Sequence, residues 1–197
     1  KKSHLYSELI VGLPQETLKD HLEANRVLMD LGAEVHNYNL HLIPGTEMET
    51  EAGRKEFVRE TAWRLHDNAF GVYDNVPVFE GQEIVKETTT SSKDEIQFLR
   101  FIHFLFQFMW GKRWYYDFLI YLKNLGIHPL DTMLRIAEEC AIDKGIIGEI
   151  YKNFRTDHQL ESFDSSEDLF QYWSKPKNLG RLRTGDYGKL NFQYTFI

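Results

Sequence analysis

Glu8-Leu9-Ile10-Val11-Gly12-Leu13-Pro14-Gln15-Glu16-Thr17 is the stretch whose reading decides the fold. Its first half is a short β-type run that ends at a glycine and a Leu-Pro turn. Thr17 stands where it can cap a helix whose N3 residue is Asp20. Leu18, Leu22, Leu28 and Leu31 give that helix an apolar side, and Gly32 ends it. A second strand, Val35 to Leu42, follows. Together these pieces predict one strand, helix, strand unit over residues 8–42, the repeating element of α/β folds.

In the second strand a period of two puts Asn37, Asn39 and His41 on one face and Tyr38, Leu40 and Leu42 on the other. The apolar face is expected to meet helices. The polar face, with Glu8 from the first strand, then lines a cavity. A barrel packed solid would point branched apolar side chains inward, so amides and an imidazole predict a wide, polar interior. In an open sheet the same residues would instead be polar edge groups facing water.

Beyond Pro44-Gly45 the spacing of Phe57, Val58, Thr61, Ala62 and Leu65 predicts a helix over about Arg54 to His66. Residues 67–91 read as an irregular connector with turn signals at Asp74-Asn75, Pro77 and Gly81. Ser92 and Glu95 form a capping box that starts a greasy helix through Phe98 to Trp110. A second helix runs from Lys112 to Leu125 and closes at Gly126; a third begins at Pro129 and reaches about Asp143. Shorter helices are expected at 146–156 and 165–174. The tail turns around Gly185-Asp186 and Gly188, and then Leu190, Phe192, Tyr194 and Phe196 alternate with polar residues as in a hairpin. That strand pattern is still running at Ile197, and the chain also enters a strand soon after Lys1, so a piece of a longer polypeptide is expected.

Composition narrows the partners. Twenty-three basic against thirty acidic residues give a net charge of -7, and no dense Lys/Arg block stands out, so nucleic acid is not an expected partner. One cysteine, Cys140, excludes an intrachain disulfide, and with no leader-like segment a reducing, cytoplasmic setting is expected. The Phe98 to Trp110 run carries Arg100, His103 and Gln107 and is too short to span a bilayer.

These residues resemble the radical S-adenosylmethionine (SAM) enzymes, in particular the branch in which a cobalamin-binding domain precedes the radical barrel. Glu8 to Thr17 is similar to that family's fifth-strand motif. Asn37-Tyr38-Asn39-Leu40 and Ile43-Pro44-Gly45-Thr46-Glu47-Met48 resemble its sixth strand and exit turn. Asn68-Ala69-Phe70-Gly71-Val72-Tyr73, Val78-Phe79-Glu80 and Thr88-Thr89-Thr90-Ser91-Ser92-Lys93-Asp94 resemble the region after the barrel. The likeness is strongest over residues 8–94. In the family the fifth strand carries Gly, Ile, Gly and Glu near the adenine of SAM. Ile10 and Gly12 match, while Glu8 stands in place of the first glycine and Gln15 in place of the glutamate.

The resemblance implies a mixed α+β or α/β chain. Residues 1–50 would be the C-terminal part of a radical SAM (β/α) barrel, 51–93 a connecting helix and irregular segment, 94–178 a helical C-terminal domain, and 179–197 a β-hairpin. It implies cofactor contacts at Ile10, Gly12, Gln15 and Asn39 and a substrate cavity at Glu8, Asn37 and His41. The parent would use a 4Fe-4S cluster, SAM and cobalamin for radical methylation or rearrangement. The three-cysteine CxxxCxxC motif that holds such a cluster is absent, so no cofactor is expected in this chain alone. Its partner would be the upstream part of the parent polypeptide. An exposed barrel edge or aromatic surface would also let copies of the chain pair.

Several residues carry plainer readings. His36 and His41 have opposite parity and make no metal pair. His103 reads as a hydrogen-bonded core residue, and Cys140, after Glu138-Glu139, as a buried thiol with a raised pKa. The aromatic series from Phe98 to Phe118 reads first as core and interface packing. Two other functions stay open: a helical interaction or scaffold domain that keeps part of a barrel, and an unrelated SAM or nucleotide binder using the Ile10 to Thr17 turn. The latter lacks a G-x-G-x-x-G loop.

Overall fold

Two parallel strands, β1 (Tyr6–Val11) and β2 (Glu34–Asn39), flank helix α1 (Leu18–Asp30), as the first segment predicts. The structure, a computed structural model, describes residues 5–184, except for the side chains of Asp67 and Asn68. The register pairs Tyr6 with Glu34 and Val11 with Asn39. Thr17 and Asp20 close the capping box in both directions, at 3.2 and 3.1 Å, and Gly32 leaves the helix with φ +73°.

The next segment departs from the sequence expectation. A short helix, α2 (Glu51–Phe57), gives way at Val58 to a long strand, β3 (Val58–Tyr73), which pairs antiparallel with β4 (Val76–Thr88). The helix expected through His66 and the irregular connector over 67–91 are therefore a hairpin. Asp74 and Asn75 form its tip with φ of 47° and 64°, the left-handed pair that a two-residue hairpin turn requires. Pro77 and Gly81 lie inside β4 rather than in turns.

The misreading has a physical cause. The hairpin base is covered on both faces, so Glu83, Ile84 and Val85 are buried in succession and no period of two survives. Backbone bonds from Leu42 to Glu83 (2.9 Å) and from Val85 to Leu40 (3.0 Å) join the end of β2 to β4. The two two-stranded sheets thus meet along one seam, and among the described residues no closed barrel forms. Arg54 reaches from α2 to grip the buried Glu83 with both guanidinium nitrogens, at 2.8 and 2.7 Å, and holds its carboxyl below the usual range.

The rest is helical: α3 (Lys93–Phe106), which continues into one wide turn at Gln107–Gly111, then α4 (Tyr116–Asn124), α5 (Pro129–Ile142), α6 (Ile146–Leu160), α7 (Ser166–Trp173) and α8 (Pro176–Thr184). Ser92 and Glu95 cap α3 and Pro129 opens α5, as read from sequence. Phe101, Phe104, Phe106 and Trp110 pack with Tyr151 and Phe154 around the fully buried Leu119, Leu130 and Met133. Burying each such side chain stabilises by roughly 1.5–3 kcal/mol. Helix α7 instead packs on the hairpin, where Leu65, Phe79, Leu169, Trp173 and Leu182 form a second core. Residues 179–184 belong to α8, and the remainder of the expected terminal hairpin lies outside the described residues.

Candidate functional site

The turn from β1 into α1 is built around Glu16. Gly12, with φ +89°, donates its N–H to Glu16 Oε2 at 2.9 Å. The other oxygen, Oε1, accepts from His21 Nδ1 at 2.9 Å. One carboxylate therefore fixes the end of β1 against the first turn of α1. The Glu16 carbonyl accepts from Thr90 Oγ1 at 2.7 Å and Ser91 Oγ at 3.0 Å, which docks the loop after β4 on the same turn. Gln15 stands exposed on this turn with φ 65°.

Behind the turn lies a buried polar cluster. His21 has no solvent exposure and Asn25 almost none. His21 Nε2 is 2.9 Å from His103 Nε2 and 3.2 Å from Asn37 Oδ1, while Asn25 and Asn37 exchange amide bonds at 3.2 and 3.0 Å. Because Asn37 Oδ1 only accepts, its contact calls for a proton on His21 Nε2. His103 Nε2 then accepts as well, a proton placement assigned from the partners. Burial first, then the positive charges of His21 and Arg100, hold His103 well below its ordinary value, consistent with the neutral acceptor. The expectation that His103 is a hydrogen-bonded interior residue agrees with this geometry.

The face assignment of β2 is corrected. Asn37 points at α1, so the polar face is the helix-covered one, and Tyr38 lies on the bare side at 46% exposure. The reason is that α1 buries the ridge His21, Asn25 and Met29, spaced four residues apart, while Leu31 on its expected apolar side is exposed. Polar meets polar, and the Asn25 and Asn37 amides satisfy each other.

The residues read from sequence consequently fall in different places. Gly12 and Asn37 are joined through Glu16 and His21. Asn39 shares the covered face, and its buried Oδ1 has no partner among the described residues. Glu8 and Ile10 lie on the opposite, open face with Tyr6, His36 and Tyr38. His41 lies past β2, in a bridge with Ile84. Glu16, His21 and Asn25 were missed; the signal was the four-residue spacing of His21, Asn25 and Met29 opposite a polar strand.

The donor set does not fit an iron-sulfur cluster. Among the described residues no group of three His, Cys, Asp or Glu side chains is placed to hold a metal. Cys140 is buried in the helical core, and burial, then the nearby Asp143 charge, pushes its thiol up. SAM fits only in part. The Gly12 N–H already serves Glu16, and a Cβ on Gly12 would meet Ile96, Thr88 and Leu40 at 3.7–3.9 Å rather than open space. Of the residues matched to the SAM-binding motif, Ile10 and Gln15 offer accessible side chains at this rim. No family model matches the chain, and no curated protein matches it.

Proposed function

We propose that the chain is a portion of a cobalamin-type radical SAM enzyme, with β1, α1 and β2 as the last part of its barrel and α3 to α7 as the extension that follows. One observation carries this reading: the parallel β1–β2 pair is covered by helices on one face only. Tyr6 and Ile10 stand 50% and 40% exposed on the other. Parallel strands are ordinarily covered on both faces, so this face calls for further structure, and a barrel interior bounded by upstream strands supplies it. In that setting Glu8, Ile10, His36 and Tyr38 face the cavity. Glu16 and His21 position the turn that bears Gln15. Cluster and SAM cleavage belong to the upstream part, and the isolated chain is inactive. A cytoplasmic location belongs to the same proposal; among the described residues no helix is long and apolar enough to cross a membrane.

Anaerobic reconstitution with iron and sulfide tests this. The chain alone should retain no stoichiometric cluster and should give no heat with SAM. The polypeptide that adds an upstream CxxxCxxC segment should load four irons and cleave SAM. A cluster on the chain alone, or an inert longer polypeptide, overturns the proposal.

A second reading, a helical interaction or scaffold domain, is favoured by the aromatic surface of α4 and its flanks. Trp114, Phe118 and Tyr121 are each at least half exposed, beside Leu125 and Ile127. It predicts a stable complex that survives when the upstream cysteines are replaced.

A further inference from the structure

A pocket between α3, α6 and β4 gathers cations in a chain of net charge -7. Lys86 lines it from β4, Lys93, Gln97 and Arg100 from α3, and His158 from α6, around a small cleft that opens to solvent. Arg100 is the unusual member. Its residue is only 6% exposed, and its Nε and Nη2 have no hydrogen-bond partner among the described residues. A buried guanidinium without a counter-charge is strongly unfavourable, and a guanidinium fork suits an oxyanion.

Cationic neighbours act on both Arg100 and His158. Burial and the like charge of Arg64 push Arg100 down to about 9, which leaves it cationic at neutral pH. His158 Nε2 is also buried without a partner. Burial, then the charges of Arg100, Arg64 and Lys86, holds its imidazole well below the ordinary value, so it is a neutral group able to donate an N–H. Gln97 accepts from Arg155 at 3.0 Å through its Oε1, which leaves its amide N–H groups for the pocket. At the mouth Glu60 bonds Lys86 at 3.1 Å and Lys93 at 2.6 Å and offsets part of their charge.

We propose that this pocket binds a phosphoryl group, as free phosphate or as a phosphomonoester. A planar carboxylate would satisfy the Arg100 fork and leave Lys86, Lys93 and His158 unused. A tetrahedral dianion presents oxygens in all of these directions. The site is separate from the Glu16 turn and does not depend on the barrel reading.

The test is titration of inorganic phosphate, ethyl phosphate and acetate into the full chain at matched ionic strength, read by calorimetry and by melting temperature. Phosphate should bind and raise the melting temperature where chloride does not. Arg100→Met should melt higher than the parent in chloride, because the unpaired charge is gone, and should bind phosphate at least tenfold more weakly. Lys93→Gln, at an exposed position, should weaken binding severalfold and keeps the test alive if Arg100→Met does not fold. Ethyl phosphate binding as well as phosphate assigns a monoester, and its exclusion assigns the free ion; both support the site. Phosphate no better than chloride, acetate as good as phosphate, or unchanged binding in both variants overturns it.

Discussion

Glu16 Oε1 lies 2.9 Å from His21 Nδ1 while its partner oxygen lies 2.9 Å from the Gly12 amide, so one side chain ties strand β1 to helix α1. Removing it leaves the buried His21 Nδ1 and the Gly12 N–H without this partner. Glu16→Ala should lower the unfolding free energy by about 2–3 kcal/mol, the range for losing charge-assisted hydrogen bonds in a covered site. Glu16→Gln keeps an acceptor for Gly12 and should cost about half as much. Urea unfolding measures both, and a loss below ~0.5 kcal/mol for the alanine variant would mean that the turn is held by something else.

Acid should weaken the fold in two stages. His103 and His158 both have folded values well below 6.5, with burial the leading cause. The unfolded chain therefore takes up these protons first. Their contribution is complete above about pH 6.5 and is lost as pH falls from there toward the folded values, by at most about 1.4 kcal/mol per pH unit for each proton. Glu83 acts lower down. Its carboxyl, held below 4.5 chiefly by Arg54, contributes stability above that value that is lost as pH falls through the depressed one. His158→Gln should flatten the curve between pH 7 and 5 and leave the lower limb intact, as followed by urea midpoints across pH.

Local signals were the legible part of this chain. The two capping boxes, the glycines at 32 and 126 and the proline at 129 each act within a few residues and stand where sequence places them. What failed depends on distant partners. Ala62 and Leu65 fit a helical spacing, and only the cover from Leu40, Leu42 and α7 makes their segment a doubly buried strand. The β-branched residues Val72, Val76, Val78, Ile84 and Val85 around Asp74-Asn75 were the available hint. Likewise the alternation along β2 was correct, yet which face was covered depended on His21 and Asn25, whose burial next to Asn37 no apolar pattern encodes.

The hairpin tip can be improved. Asp74 and Asn75 both hold left-handed backbone angles at a side-chain cost that glycine avoids. Replacing the pair by Asn-Gly, the preferred two-residue turn, should stabilise by about 0.5–1 kcal/mol. A rise in melting temperature without change in the urea slope is the expected result. A fall would mean that the Asp74 or Asn75 side chain contributes to the turn in its own right.

The bare face of β1–β2 separates folding from assembly. Ile10 and Tyr38 lie side by side there, paired in register and 40% and 46% exposed, so neither contributes much to the core of the chain itself. Ile10→Lys and Tyr38→Lys should each change the unfolding free energy by no more than about 0.5 kcal/mol, as ordinary surface substitutions do. In the barrel reading the same lysines would replace the apolar Ile10 and aromatic Tyr38 surface that the upstream strands close over. They should therefore abolish association with the upstream part of the polypeptide, or self-association where that part is missing, in sedimentation velocity runs. Loss of stability above ~2 kcal/mol in the isolated chain would instead place a covering segment of this same chain over the sheet.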